Sequence, residues 1–257
     1  MLERIVEARR AAVEHRKRVL PEPVLRMAVE KGAPARDFPG ALTRPGTNII
    51  AELKKASPSR GLLREYFDPR SLATQLEQAG AAALSVLTEE EFFQGSLESL
   101  RNARKATALP VLRKDFLLDP WQVWETRAND ADSFLLIAAI LNDALLRELL
   151  ALGRELGMEA LVEVHTREEL AHVVEAGARI IGVNNRDLRT LDVRLETSFE
   201  LIDPLPDDCI AVCESGLRSA EEIARLRSAG FDAFLIGEHL MESSDPAAAL
   251  RYLLVAG

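Results

Sequence analysis

Eight short apolar segments, each followed by a segment of helical periodicity, occupy the sequence from residue 48 onward. The apolar segments have the length of buried parallel strands, and the segments between them repeat apolar residues every three or four positions. This alternation is typical of βα units around a parallel sheet. The predicted strands are 48–54, 82–88, 110–116, 133–139, 159–164, 179–185, 209–215 and 233–237.

Seven predicted helices connect these strands and an eighth follows the last strand. Gly80, Gly177 and Gly230 each end a helical segment, where a C-cap favours positive φ. Eight such units close most naturally into a (β/α)8 TIM barrel. A doubly wound open sheet has the same alternation, but no G-x-G-x-x-G sequence follows a predicted strand. The predicted helices are 70–79, 97–106, 120–129, 142–155, 167–176, 195–203, 218–229 and 246–255.

The first 47 residues precede the first strand and contain two amphipathic segments, 2–19 and 22–31. We expect residues 1–47 to form a helical extension packed on a barrel of residues 48–257, within a single domain. The extension could close the bottom of the barrel, or it could fold over the mouth and wall a pocket. The long acidic segment TEEEFFQGS after the second strand is predicted to lie at the pocket rim.

Charge and composition exclude several classes of function. The net charge is -9, which repels a polyphosphate backbone, so we expect no nucleic-acid partner and expect any bound anion to be held locally. The sequence has no apolar segment of about 18 residues and no signal-like start, which predicts a cytoplasmic protein without membrane spans. Cys209 and Cys213 are expected to be reduced thiols. A monomer or a weak oligomer is expected.

Polar residues interrupt several predicted strands near their carboxyl ends, where TIM barrels place their active sites. On the first strand, the period of two puts Ile50, Glu52 and Lys54 on one face, predicted to be the barrel interior. The other residues predicted to face inward are Leu112, Lys114 and Phe116; Leu161 and Glu163; Gly182 and Asn184; and Ala211, Cys213 and Ser215.

A simpler interpretation is that these strand ends emerge into water, where a charged residue is ordinary. That interpretation is weak for five strands at once, because buried charges are costly unless they are paired or used. A buried lysine can also release a proton near neutral pH, whereas an arginine cannot. The pattern therefore predicts that two lysines, two glutamates, an amide and a hydroxyl converge on one cavity.

An anion site is predicted beside this cavity. Loops after the seventh and eighth strands of such barrels often bind phosphate, and Ser215–Gly216 and Gly237–Glu238 occupy these places, with Ser57 nearby after the first strand. The alternative for both glycines is ordinary turn formation. We predict no metal site, because His15, His165, His172 and His239 show no metal-ligand spacing and are expected to be surface or structural residues.

Seven ordered motifs along nearly the whole chain resemble the indole-3-glycerol phosphate synthases of tryptophan biosynthesis. Several strand-end signatures at the expected separations are far more specific than one short motif. The motifs are AELKKASPSRG, ALSVLTEEEFFQGS, LPVLRKDF, ALVEVH, IIGVNNRDLRTL, CESGLRS and FLIGEHLM.

The resemblance implies ring closure of 1-(2-carboxyphenylamino)-1-deoxyribulose 5-phosphate, with loss of carbon dioxide and water, and it implies no cofactor. Lys114 is then the candidate general acid for attack on the C2' carbonyl. Lys54 and Glu163 are the candidates for loss of the hydroxyl group, with Glu52 orienting Lys54. The candidate catalytic residues are Lys114, Glu163, Lys54, Glu52, Asn184 and Ser215.

The resemblance also implies three groups of substrate contacts. Asn184 and Arg186 would meet the substrate carboxylate. The family commonly has Ser at position 238, and a carboxylate repels phosphate, so Glu238 is expected to offer only its backbone while its side chain turns outward. The aromatic ring would lie between Phe93, Phe116, Leu135 and Leu188, and the phosphate would be bound by Ser57, Gly216, Gly237 and Glu238.

Three other functions fit parts of the pattern. A sugar-phosphate isomerase would share the barrel and the phosphate site but would not need both Lys54 and Lys114 in the interior. A Schiff-base aldolase would use an inward lysine as a nucleophile, and borohydride would trap its covalent adduct. A binding module without activity is disfavoured because the set of polar residues is complete.

Overall fold

The computed structural model describes residues 1–255, and its centre is a closed barrel of eight parallel strands. Each strand pairs with its neighbours in chain order, and the last pairs with the first, for example Ile49 with Phe234. The TIM-barrel prediction is therefore confirmed. The strands are β1 (Asn48–Leu53), β2 (Ala83–Leu87), β3 (Val111–Lys114), β4 (Ser133–Ile137), β5 (Glu159–Val164), β6 (Ile180–Asn184), β7 (Ile210–Glu214) and β8 (Ala233–Ile236).

All eight predicted barrel helices and both predicted N-terminal helices are present. Four short elements were not predicted: the helices Phe38–Leu42 and Glu238–Glu242, a 3-10 helix at Ala138–Ile140, and a hairpin of Ala56–Ser57 with Gly61–Leu62. The helices are α1 (Leu2–Val19), α2 (Glu22–Lys31), α3 (Phe38–Leu42), α4 (Pro69–Gln78), α5 (Leu97–Ala106), α6 (Pro120–Ala128), α7 (Asp143–Glu155), α8 (Arg167–Glu175), α9 (Glu196–Ile202), α10 (Ala220–Ser228), α11 (Glu238–Glu242) and α12 (Pro246–Leu254).

Local sequence signals explain where several barrel helices begin. An Asp-Pro pair starts α4, α6 and α12, and in each case the Asp carboxylate accepts a hydrogen bond from a backbone N–H of the first turn. The proline suits the first helical position because its missing N–H would have no partner there. Ser219 starts α10 through a capping box with Glu222.

The two faces of each strand pack into two different cores. One face packs against the helices, and the other fills the barrel interior with residues such as Ile50, Leu112 and Leu161. On β7 the prediction was wrong by one residue: Ala211 and Cys213 pack against the helices, whereas Val212 and Glu214 belong to the inward face. The error arose because Ser215, counted as the last residue of the alternation, has a φ of 66°, and a left-handed residue interrupts the period of two.

The short helix α3 closes the amino-terminal end of the barrel. Phe38 and Leu42 are fully buried against the inward residues there. The side-chain amide of Asn48, at the start of β1, donates hydrogen bonds to the backbone carbonyls of Leu42 and Arg44. This end is therefore an apolar plug, and the barrel opens only at the carboxyl ends of its strands.

A buried ionic network fastens α1 to strand β3. Arg9 of α1 donates a hydrogen bond to Asp115 at 2.5 Å, and the same carboxylate accepts from Thr88 and from Arg113 at 2.9 Å. Arg113 is fully buried and also forms an ion pair with Glu125 of α6. Burial alone would raise the pKa of Asp115, but the charges of Arg9 and Arg113 hold it below its usual value. The network thus fixes the residue that directly follows Lys114.

Helix α2 covers the outer face of α6. Leu25 of α2 packs with Trp121 and Trp124, and the guanidinium of Arg26 lies over the Trp124 ring at 4.1 Å.

Over the described range, residues 1–255, no helix combines the length and the apolarity that crossing a membrane requires.

Replacing Asp115 by Asn tests the energetic weight of the ionic network. Because the change leaves Arg9 and Arg113 buried without their shared counter-ion, we expect the free energy of unfolding to fall by about 3–5 kcal/mol. Urea unfolding followed by circular dichroism measures it. Glu22→Gln, which removes an exposed ion pair with Arg26, is the control and should cost about 0.5 kcal/mol or less. A loss below about 1 kcal/mol for Asp115→Asn would contradict the assignment.

Candidate active site

One cavity of about 760 Å³ opens at the carboxyl ends of the barrel strands. All eight barrel strands, or the loops directly after them, contribute residues to it, although these residues are far apart in sequence. All the candidate catalytic and substrate-binding residues line this cavity: Glu52, Lys54, Ser57, Phe93, Lys114, Phe116, Leu135, Glu163, Asn184, Arg186, Leu188, Ser215, Gly216, Gly237 and Glu238.

The Lys114 ammonium lies between two carboxylates on the cavity floor. Its Nζ is 3.2 Å from Glu163 Oε2 and also donates a hydrogen bond to Glu214 Oε2. Both glutamates are buried, and the Lys114 side chain is 14% exposed. Three strands, β3, β5 and β7, therefore supply one ionic cluster.

Glu214 is the site residue that sequence reasoning missed. It lies on the inward face of β7, paired in register with Asn184 of β6. Gly182 makes room for it, because a Cβ there would lie 2.1 Å from Glu214 Oε1. In the sequence, the inward-facing Gly182 indicates that a side chain of a neighbouring strand fills the space beside it, but it does not indicate which residue that is.

The cluster contains two carboxyl groups, Glu163 and Glu214, for the one ammonium of Lys114, and this imbalance shifts the pKa values of all three groups. Burial and the neighbouring charge of Glu163 raise the pKa of Glu214 to about 7, although Lys114 opposes the shift. Burial alone would raise the pKa of Glu163, but Lys114 and His165 hold it below its usual value. Burial would lower the pKa of Lys114, yet Glu214 and Glu163 raise it well above its usual value. Near neutral pH, Lys114 is therefore protonated, Glu163 is ionised and Glu214 titrates.

A second lysine–glutamate pair lies across the cavity at the end of β1. Lys54 Nζ is 2.9 Å from Glu52 Oε1, and Glu52 is buried next to Ser85 of β2. Gly237 lies against this carboxylate, since a Cβ there would be 2.3 Å from Glu52 Oε1. The glycine after β8 therefore has a packing function beside the ion pair, which goes beyond the anion-binding function predicted for it.

His165 lies beside the cluster rather than on the surface. Its Nε2 is 3.4 Å from Glu163 Oε1, and its Nδ1 is 3.4 Å from Glu169 Oε2. Burial would lower the pKa of His165, but Glu169 and Glu163 raise it above its usual value. The expectation of a surface or structural role overlooked that His165 continues the inward alternation of Glu163.

One wall of the cavity is apolar and could hold an aromatic ring. The rings of Phe93 and Phe116 are 6.2 Å apart between centroids, and Leu135 and Leu188 complete this wall. The first residues of the N-terminal extension, Met1, Leu2 and Ile5, also line the cavity. The extension thus reaches both ends of the barrel, with α3 at the bottom and the start of α1 at the mouth.

The opposite side of the mouth is polar and basic. Ser215 and Gly216 both have positive φ, 66° and 85°, which forms a sharp turn directly after β7. Arg186 donates a hydrogen bond to Glu238 Oε2 at 3.0 Å and a second to the Leu191 carbonyl. The Glu238 side chain does not turn outward as expected: it is 14% exposed and forms ion pairs with arginines.

Metal-binding residues do not cluster in residues 1–255, where no group of three or more His, Cys, Asp or Glu could hold an ion. The two cysteines are free thiols; Cys213 is buried and Cys209 half-buried. Burial raises the pKa of the Cys213 thiol to about 12, so it stays protonated at neutral pH. Cys213 faces the helices and does not line the cavity.

A closed (β/α)8 barrel with paired lysines and glutamates on the floor of its mouth defines an enzyme of the TIM-barrel class. The family model described as indole-3-glycerol phosphate synthase matches residues 2–253. Indole-3-glycerol phosphate synthase of Rhodococcus opacus is 45% identical over 257 residues, covering 100% of this chain and 96% of that protein. The protein of that name in Dehalococcoides mccartyi is 46% identical over 258 residues, covering 99% of this chain and 100% of that one.

The chain therefore belongs to the indole-3-glycerol phosphate synthase family. Solved structures of other proteins share its fold at low identity. The 3-hexulose-6-phosphate synthase of Salmonella typhimurium has a TM-score of 0.66 at 11% identity, covering 82% of this chain and 98% of that one. Thiamine phosphate pyrophosphorylase of Pyrococcus furiosus has a TM-score of 0.61 at 15% identity, covering 82% and 94%.

Glu214→Gln tests the charge imbalance through the pH dependence of stability. The folded-state pKa of Glu214, about 7, lies above that of an unfolded glutamate, so the native state keeps a proton that the unfolded state has released. Wild-type stability is therefore lost as pH rises from about 5 to about 8, and the variant should gain about 2–3 kcal/mol relative to wild type over that range. Urea unfolding of both proteins at both pH values measures it. A difference independent of pH would contradict the raised pKa.

Proposed function

We propose that this chain converts 1-(2-carboxyphenylamino)-1-deoxyribulose 5-phosphate to indole-3-glycerol phosphate, with release of carbon dioxide and water. The observation that best supports this reaction is the Lys114 ammonium held next to Glu163 on the floor of a cavity whose two sides differ. The apolar side suits an aromatic ring, and the basic side suits a phosphate and a carboxylate. Family membership over residues 2–253 supports the same substrate.

The first step joins the aromatic ring to the sugar. The ring carbon that bears the carboxylate attacks the C2' carbonyl carbon, and the carbonyl oxygen takes a proton as its π bond breaks. We assign Lys114 as the acid, because Glu163 and Glu214 on either side of its ammonium keep it protonated in the free enzyme. Carbon dioxide then leaves, and the electrons of the broken bond restore the aromatic ring.

The second step forms the pyrrole double bond. The hydroxyl at the former carbonyl carbon leaves as water after protonation, and a base removes a proton from C1'. We assign Lys54 as the acid and Glu163 as the base, since Glu163 is ionised and lies beside the same floor. Glu52 orients Lys54 at 2.9 Å, and Glu214 balances Lys114, so both are positioning residues.

The remaining residues bind the parts of the substrate that do not react. Asn184 and Arg186 would hold the carboxylate until it leaves; the Asn184 side chain already accepts a hydrogen bond from the Arg186 backbone. Ser57, Ser215, Gly216 and Gly237 would surround the phosphate. The aromatic ring would lie against Phe93, Phe116, Leu135 and Leu188.

The charge state of Lys114 separates this proposal from the aldolase alternative. A Schiff-base lysine attacks as a neutral amine, whereas Glu214 and Glu163 keep Lys114 protonated. We therefore expect no borohydride-trapped adduct. A cytoplasmic location and a monomeric or weakly associated state stay predictions from the sequence.

A direct assay tests the function. Purified protein incubated with the carboxyphenylamino sugar phosphate should produce indole fluorescence, and mass spectrometry should show a product lighter by one carbon dioxide and one water. Lys114→Met serves as the inactive control. Folded wild-type protein that gives no product would contradict the proposal.

Lys114→Arg separates proton transfer from simple charge stabilisation. Arginine keeps the positive charge between Glu163 and Glu214, but a guanidinium is not deprotonated in proteins, and its planar fork places its donors differently from the single Lys114 Nζ. We expect kcat to fall by about 10² to 10⁴, nearly as much as in Lys114→Met. Stopped-assay kinetics measure the loss, and binding of a non-reacting substrate analogue to both variants checks that the site still forms.

The matched control is Lys105→Arg, on the outside of α5. Its kcat should stay within about twofold of wild type, since surface substitutions are nearly neutral. If Lys114→Arg retained more than about a tenth of wild-type kcat, Lys114 would be an electrostatic residue and the acid would have to be another group.

A further inference from the structure

Glu238 forms ion pairs with three arginines across the mouth of the cavity. Its Oε1 accepts a hydrogen bond from Arg60 Nε at 3.1 Å and lies 3.4 Å from Arg218 Nη2, while its Oε2 accepts from Arg186 Nη2 at 3.0 Å. Both carboxylate oxygens are therefore occupied. A carboxylate that merely faces solvent would have neither this set of partners nor its low exposure of 14%.

The three arginines come from three different loops. Arg60 follows β1, Arg186 follows β6 and Arg218 follows β7, and Glu238 itself follows β8. All four residues line the cavity together with Ser57 and Gly216, which are proposed to surround the substrate phosphate. Arg60, Arg186 and Arg218, which line the cavity with these phosphate-site residues, are thus already paired with a carboxylate of the protein itself.

We propose that Glu238 is an internal counter-ion that competes with the anionic groups of the substrate for Arg60, Arg186 and Arg218. In the free enzyme it keeps the three arginines together, and Arg186 must exchange the Glu238 carboxylate for the substrate carboxylate when the substrate binds. This inference rests on the proposed function, which assigns Arg186 to that carboxylate. Glu238 is accordingly a residue that sets substrate affinity, not a catalytic one.

The charge of Glu238 persists at neutral pH. Burial would raise its pKa, but the hydrogen bond from Arg60 and the charges of Arg186 and Lys54 hold it below its usual value. A phosphate dianion entering the same mouth meets a fixed negative charge that shares its cations, and like charges at such separations weaken binding. Neutralising Glu238 without changing its size should therefore tighten the binding of an anion.

A scaffold function for Glu238 makes the opposite prediction. If the carboxylate were needed to hold three mutually repelling guanidinium groups in place, its removal would disperse them and weaken anion binding. Glu238→Gln keeps the side-chain length and one hydrogen-bond acceptor, and Glu238→Ser removes the whole carboxylate. The two variants together distinguish competition from scaffolding, because competition predicts tighter binding in both and scaffolding predicts weaker binding in both.

The control is Glu242→Gln on the same helix. Glu242 is 3.7 Å from Arg60 but does not line the cavity, so this variant changes the net charge of the protein by the same amount without opening the mouth. It should leave the affinity for phosphate within about twofold of wild type, as expected for an exposed ion pair.

The experiment is calorimetric titration of the four full-length proteins with inorganic phosphate at constant ionic strength and neutral pH. We expect the phosphate Kd of Glu238→Gln and Glu238→Ser to fall about three- to tenfold below wild type, with KM for the sugar-phosphate substrate falling in parallel. An unchanged or raised Kd in Glu238→Gln, or an equal fall in Glu242→Gln, would overturn the proposal.

Phosphate titration needs no turnover, which separates the two proposals. If ring closure is observed and the phosphate Kd does not respond to Glu238, only the counter-ion inference fails. If phosphate binding tightens but no indole product forms, the competition is real and the proposed reaction is wrong.

Discussion

The ammonium of Lys114 needs a counter-charge inside a closed barrel, and the arrangement of the mouth depends on that requirement. Glu163 of β5 and Glu214 of β7 supply the charge, and they lie 49 and 100 residues from Lys114 along the chain. Barrel closure brings these strands together, and Gly182 leaves the volume that the Glu214 carboxylate fills. A buried ion pair is costly unless its geometry is good, and removing one partner leaves the other charge buried without compensation, which is strongly destabilising.

The two ends of the barrel differ: the amino-terminal end is packed and apolar, and the other end carries the charged side chains of the cavity. The amino-terminal end is sealed by Phe38 and Leu42, with only apolar and amide contacts. The other end holds an excess of carboxylates on the floor and an excess of arginines at the rim. This distribution suits a substrate that presents an anion to the arginines at the mouth and a carbonyl oxygen to the Lys114 ammonium on the floor, because each meets a positive charge. The Arg9–Asp115 network fixes α1 beside β3 and so connects the N-terminal extension to the strand that carries Lys114.

The sequence alone predicted the eight strands, their helices and the barrel, because the hydrophobic period and the C-cap glycines are local signals. The candidate catalytic and substrate-binding residues that it selected line one cavity, since the carboxyl ends of parallel strands must meet. The prediction was wrong where the chain leaves its regular period. The left-handed turn at Ser215 shifted the inferred inward face of β7, so Ala211 and Cys213 were selected in place of Val212 and Glu214.

The sequence by itself therefore determined which strands form, where they begin and end to within two residues, and which side chains most of them present to the interior. Only the tertiary structure decided which charges meet: Lys114 with Glu214, His165 with Glu163, and Glu238 with three arginines of different loops. The physical reason is that periodicity fixes the direction of a side chain relative to its own strand, whereas the partner of a charge depends on distances across the barrel. Those distances are set by closure and by the conformations of irregular loops, neither of which has a local signature in the sequence.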